Sequence, residues 1–161
     1  MVEPTGRRAV NLRRWNIGLG VIHAVQAVAV LALATSFTLP VTAVFMEGPP
    51  GTAAGAPITL LQVPVAWGVA LFLLLSGVFH RLVVSPGVFG RYTSGVAQQH
   101  NDFRWAEYSL SSSVMIVLIA MLTGVTDVSA LIGIVAADAA MIFFGAVQEG
   151  YVQVFAGTLA G

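Results

Sequence analysis

Residues 103–116 read Phe103-Arg104-Trp105-Ala106-Glu107-Tyr108-Ser109-Leu110-Ser111-Ser112-Ser113-Val114-Met115-Ile116. An arginine and a glutamate open a run that is otherwise apolar, aromatic or hydroxylic. At 100° per residue, Arg104, Glu107, Ser111 and Met115 fall on one stripe of a helix. The run begins an apolar segment from about Phe103 to Val125. Three similar segments surround it, at about Trp15 to Phe37, Pro57 to Val84 and Val128 to Val147. Each is long enough to cross a hydrocarbon layer of roughly 30 Å. No alternating barrel pattern is present, so the spans read as helices.

Composition supports this. The chain has 161 residues, 57% hydrophobic and 9% charged, with zero formal net charge and a mean hydropathy of +0.88. A soluble domain carries about a quarter charged residues. The composition fits an all-α membrane protein of about four spans, with the lipid bilayer as its first partner. Basic residues are too few to read as a nucleic-acid surface. Without cysteine there is no disulfide, thiolate metal site or cysteine nucleophile. The first span is too long for a cleavable signal.

All seven basic residues are arginine, and no lysine is present. The only primary amine is the α-amino group of Met1. Arg7, Arg8, Arg13 and Arg14 precede the first span, and Arg81, Arg91 and Arg104 flank the connection between the second and third. The other two loops carry only Glu47 and Asp127. The positive-inside rule then places the N-terminus in the cytoplasm of a multi-pass cell-membrane protein. The loop from Leu39 to Ala56 contains the turn Gly48-Pro49-Pro50-Gly51 between extended pieces at Val41 to Met46 and Ile58 to Gln62. An extracellular β-hairpin and an irregular loop are both compatible with it. Residues 1–150 form the membrane domain and 151–161 a C-terminal tail.

Ionisable groups at membrane depth are functional-site candidates by default. His23 and Gln26 share a face of the first span, and Ser76 and His80 a face of the second. Helix rise puts His23 and Ser76 each roughly 12 Å from the cytoplasmic end, with Glu107 and Ser111 in the same half. Three helices thus bring polar groups to one layer. Each residue also has a plainer role. Ser109 and Ser113 can bond their own backbone, and His80 can sit among headgroups. Glu107 can pair with Arg104, and Gln26 can join two helices. Ala136, Ala140 and Gly145 read as close-packing positions, and the methionines as core fillers. Asp138 lies within the fourth span, with Glu149 at its cytoplasmic end. Hydrolase, zinc-protease and phosphate-loop motifs are absent, and His23, His80 and Glu107 lack a metal-ligand spacing.

The run F-R-W-x-E-Y-S-L-S-S-S-V-M-I resembles the third helix of heliorhodopsins, microbial rhodopsins of inverted topology. His23 through Gln26, Gly48 through Thr52, Ser76 through His80 and Gln148-Glu149 agree, so the resemblance spans about residues 10 to 150. It implies a seven-helix, dimeric, retinal-binding light sensor or signalling protein rather than an enzyme, with retinal held as a protonated Schiff base on a lysine of helix 7. Glu107 then matches the Schiff-base counterion. Ser76, Ser111 and Ser112 match serines near it. His23 and His80 match a polar cluster to which Gln26 and Tyr108 belong. Met115 matches a polyene-lining residue, and Arg104 and Glu149 a cytoplasmic ion pair.

The chain departs from that pattern. It has room for the first four helices and lacks the lysine, and Asp138 stands where a neutral asparagine is expected. The ending Val154-Phe155-Ala156-Gly157-Thr158-Leu159-Ala160-Gly161 resembles the family's C-terminal tail, as an internal deletion would leave it. Two functions are therefore carried forward. One is a heliorhodopsin-like photoreceptor whose helices 5–7 come from another chain. The other is a non-photoactive four-helix protein serving as a structural or assembly partner. In both, faces left without helices 5–7 favour oligomers. A small membrane enzyme using His23, His80 and Glu107 has no substrate to recommend it.

Overall fold

In the computed structural model, residues 6–159 are described, with side chains through Tyr151. Met1 and the last two residues of the expected tail lie outside the described residues. The order is α1 (Gly6–Ala32), β1 (Thr38–Ala43), β2 (Ile58–Pro64), α2 (Val65–Val83), α3 (Phe89–Ala97), α4 (Asp102–Leu122) and α5 (Val128–Leu159). Among the described residues, four segments are long and apolar enough to cross a membrane: Gly6–Ala32, Val65–Val83, Asp102–Leu122 and Val128–Tyr151. The spanning helices pack in series, α1 on α2, α2 on α4 and α4 on α5.

Several boundaries differ from the sequence expectation. α1 begins nine residues before Trp15 and stops at Ala32, because the chain turns into β1. α2 begins at Val65 rather than Pro57, because residues 58–64 form a strand. α5 continues past Val147 to Leu159, so the backbone of residues 151–159 is helical. The short helix α3 was not anticipated.

The hairpin is present, with β1 a few residues earlier than expected. β1 and β2 pair antiparallel from Thr38↔Pro64 to Ala43↔Ile58, with an irregularity between Val41 and Thr42. An isolated Met46↔Ala54 bridge continues it toward the turn, where Gly51 takes φ 98°. The hairpin closes one end of the bundle. Val41 packs with Ala120, Met121 and Leu131 in the best-buried cluster, and Leu39 and Val63 flank it. Thr42 N donates to Thr126 O at 2.8 Å, tying the strand to the α4–α5 turn.

That turn is sharp for local reasons. Gly124 takes φ 97°, which costs a residue without Cβ little. The Asp127 carboxylate then caps α5, accepting from Ser129 N at 2.9 Å and Ala130 N at 3.1 Å. At the opposite end Asn101 caps α4, its Oδ1 accepting from Arg104 N at 3.1 Å. This cap fixes where α4 begins, and so where Arg104 and Glu107 point.

Candidate functional site

Close helix approach builds the site. A Cβ on Gly20 of α1 would lie 3.4 Å from the Cβ of His80, and one on Gly77 of α2 would lie 3.6 Å from the Cβ of His23. Each glycine therefore accommodates the histidine of the facing helix. The two imidazoles stack, with centroids 5.5 Å apart and planes 8° from parallel. His80 Nδ1 lies 2.9 Å from Asn16 Oδ1. An amide oxygen only accepts, so Nδ1 of His80 carries the hydrogen. Asn16 Nδ2 donates to Leu12 O at 2.9 Å and to the Tyr92 hydroxyl at 3.4 Å. Asn16 thus links α1, α2 and α3 while remaining only 8% exposed.

Beside this cluster lies a cavity of about 180 Å³, lined among others by Asn16, His80, Tyr92, Arg104, Glu107 and Tyr108. It draws on α1, α2, α3 and α4. Among the described residues, His23 Nδ1 and Arg104 Nε are buried without a hydrogen-bond partner. Arg104 Nη2 donates to Glu149 Oε1 at 3.0 Å, and Trp105 Nε1 donates to the other oxygen of that carboxylate. Arg104 also lies over the Trp105 ring, 4.7 Å from its centroid. Glu149 therefore engages the arginine of α4, and among the described residues the Glu107 carboxylate makes no ion pair.

The remaining candidates separate. Ser111 is buried, and its hydroxyl donates to Glu107 O at 2.9 Å. Ser76 is buried in α2. Ser112 turns toward α5, its Oγ 2.8 Å from Asp138 Oδ2, with Ser113 Oγ at 3.3 Å. Asp138 therefore sits in the α4–α5 contact and is not among the residues lining the cavity. Gln26 is exposed and lines a separate groove with Leu33, Val65 and Leu73. Met115 is 40% exposed, and with Tyr108, Ile119 and Leu122 it forms an exposed stripe along α4. Ser109 bonds its own helix, to Ala106 O at 2.9 Å. Gly145 is a close-packing position, where a Cβ would lie 2.7 Å from Trp105 Cη2. Ala136 and Ala140 are not, because both are exposed on α5. No group of three or more potential metal ligands occurs among the described residues.

Sequence reasoning missed Asn16 and Tyr92. Asn16 lies seven residues, two helical turns, before His23, so the spacing put both on one face. Phe89, Tyr92 and Val96 follow i, i+3, i+7 spacing, which marks a short amphipathic helix.

Four apolar spans, a polar cavity lined by α1–α4 and a hairpin at one end describe a multi-pass membrane protein. A family model described as Heliorhodopsin matches residues 12–159, and the chain belongs to the heliorhodopsin family. That family is one of light-sensing photoreceptors rather than enzymes. A comparison with curated protein sequences found no match.

Proposed function

We propose that this chain supplies the counterion side of a heliorhodopsin-like retinal photoreceptor, with Glu107 facing the Schiff base. The observation that carries the reading is the position of Glu107. Glu107 lines a polar cavity with His80 and Arg104, and its carboxylate makes no ion pair among the described residues. A carboxylate at that depth is costly unless it is protonated or meets a cation. A protonated Schiff base would be such a cation. Tyr108 and Met115 edge the neighbouring uncovered stripe, and His23, His80, Ser76 and Ser111 form the polar surroundings. In this reading α1, α2, α4 and α5 are helices 1–4 of the seven-helix bundle, with the N-terminus cytoplasmic.

The residues present do not fit covalent retinal on their own, because none is a lysine. The amine must come from another segment or another chain. The non-photoactive assembly partner is favoured by that same lysine count and by the exposed α5 side chains Met141, Phe143 and Phe144, at 65%, 65% and 69%.

The test is an absorption spectrum after adding all-trans retinal, with and without hydroxylamine. It is run on the chain alone and on the chain co-expressed with helices 5–7 of a full-length relative. A red-shifted, hydroxylamine-bleachable band is expected only in the co-expressed sample, and Glu107→Gln should shift it. A co-purified complex that shows only free retinal would sink the photoreceptor reading and leave the assembly role. A bleachable band from the chain alone would show that an amine within it, the Met1 terminus, suffices, against the requirement for a second segment.

A further inference from the structure

On the surface of α1 and α2, two cavities of about 450 and 390 Å³ share Ile17, Val78, Arg81 and Val84 in their walls, and the smaller reaches Asn16 at the edge of the histidine cluster. They form one groove. At its wide end stand Arg13 and Arg81. From there it runs along the helix pair over Gly20, Ala24, Leu74 and Gly77. The glycines that let α1 and α2 approach also deepen this slot. Its mouth is cationic and its length is apolar and sized for a chain.

The charge at the mouth meets no carboxylate among the described residues. Asp102 is taken by Arg91 at 3.4 Å and His100 at 2.5 Å, and Glu149 by Arg104. Arg13 is held over the Phe89 ring, 5.5 Å from its centroid, a contact that uses no carboxylate. Among the described residues neither Arg13 nor Arg81 has an acidic partner. Arg81 lies in the last turn of the spanning helix α2, the depth at which arginine side chains reach the headgroup layer.

We propose that this groove binds one anionic phospholipid, with its phosphate between Arg13 and Arg81 and an acyl chain along Ile17, Gly20 and Gly77. Guanidinium groups suit phosphate because their paired N–H donors match its oxygens. Basic pockets between spanning helices select anionic headgroups for this reason. A soluble phosphate would use the mouth and leave the slot unfilled, whereas a zwitterionic lipid would fill the slot and gain less at the mouth.

The test is native mass spectrometry of the full chain released from mild detergent. The detergent contains equal amounts of phosphatidylglycerol and phosphatidylcholine with matched chains. One phosphatidylglycerol should be retained preferentially. The Arg13→Gln/Arg81→Gln double variant should lower that preference about tenfold or more, Arg13→Lys/Arg81→Lys should keep most of it, and Arg91→Gln should keep all of it. Ala24→Phe, which fills the slot and leaves the charges alone, should reduce retention of both lipids, with helicity by circular dichroism unchanged. Equal retention of the two lipids would overturn the proposal, as would a double variant no different from Arg91→Gln. Displacement by inorganic phosphate at the same concentration as by phosphatidylglycerol would also overturn it, leaving an anion site without a lipid slot.

Discussion

Asn16 is the joint of the site, and replacing it tests whether the polar cluster is a unit. Asn16→Leu keeps the branched outline in a somewhat larger side chain and removes three contacts: His80 Nδ1 at 2.9 Å, Leu12 O at 2.9 Å and Tyr92 Oη at 3.4 Å. An interhelical polar contact within a membrane is worth about 0.6 kcal/mol on average and about 1.7 at most. The larger effect is the donor left behind. His80 Nδ1–H would face the leucine, and a buried unpaired donor costs about 1–3 kcal/mol. The Leu12 contact adds little, since that carbonyl belongs to the α1 ladder. The expected loss is about 2 kcal/mol, or about 4–8 °C in Tm for a chain of this length. His80→Leu should cost a similar amount. The double variant should cost clearly less than the sum, because replacing both partners with apolar groups strands neither. The measurement is a double-mutant cycle by unfolding in bicelles, followed by circular dichroism, with a coupling above about 0.5 kcal/mol expected. Additivity within about 0.3–0.5 kcal/mol would refute the argument, and the cluster would then be neighbours rather than a network.

Three further outcomes follow from other contacts. Gly145→Ala places a Cβ 2.7 Å from Trp105 Cη2; the indole must move, costing about 1–3 kcal/mol, and Trp fluorescence should shift, whereas an unchanged spectrum and Tm would contradict the packing. Glu149→Gln should destabilise by about 1.5–3 kcal/mol through its charged contact with Arg104, less if Arg104 swings to Glu107; in that case Glu107→Gln, cheap in the native background, becomes costly in the Glu149→Gln background. Asp138→Asn keeps an acceptor for Ser112 and Ser113 and removes a carboxylate from a spanning helix, so unfolding in detergent should show equal or higher stability; a loss above about 1 kcal/mol would mean that the charge itself is needed.

The sequence made the spanning helices legible because hydrocarbon imposes an all-or-none demand on some twenty residues at once. Their ends were less legible, since residues 58–64 are as apolar as the helix that follows. Only pairing with β1 makes them a strand, and pairing is not local. The hairpin turn was readable from Gly48 through Gly51, because turn chemistry is local. Along one helix, spacing puts Ser111 one turn from Glu107, and its hydroxyl meets the Glu107 carbonyl. Contacts between helices did not follow. Asp138 reads as a second acid for the cavity, yet it turns to Ser112 and Ser113. Gln26 shares a face with His23 in projection but is exposed in a groove beside the start of α2. Asn16 went unremarked at the edge of its span, where a polar residue looks ordinary until Tyr92 and His80 meet it.

The placement of carboxylates explains why Glu107 and not Asp138 is the acid to watch. Asp138 Oδ2 has the Ser112 and Ser113 hydroxyls within 3.3 Å. Glu149 has an arginine and an indole N–H, and their geometry is fixed by the Asn101 cap that starts α4. Arg104 and Glu107 stand three residues apart and would pair on an isolated helix. Glu149 draws Arg104 away across the α4–α5 contact. The fold thus brings two acids within reach of one arginine and assigns it to the outer one. The inner carboxylate is left against His80, Asn16 and Tyr108, on the edge of the stripe that the described helices do not cover. Elsewhere on α4, Asp102 pairs with Arg91 and His100, and Arg104 with Glu149; under the proposed function, Glu107 is where a cation from outside the described residues would gain most.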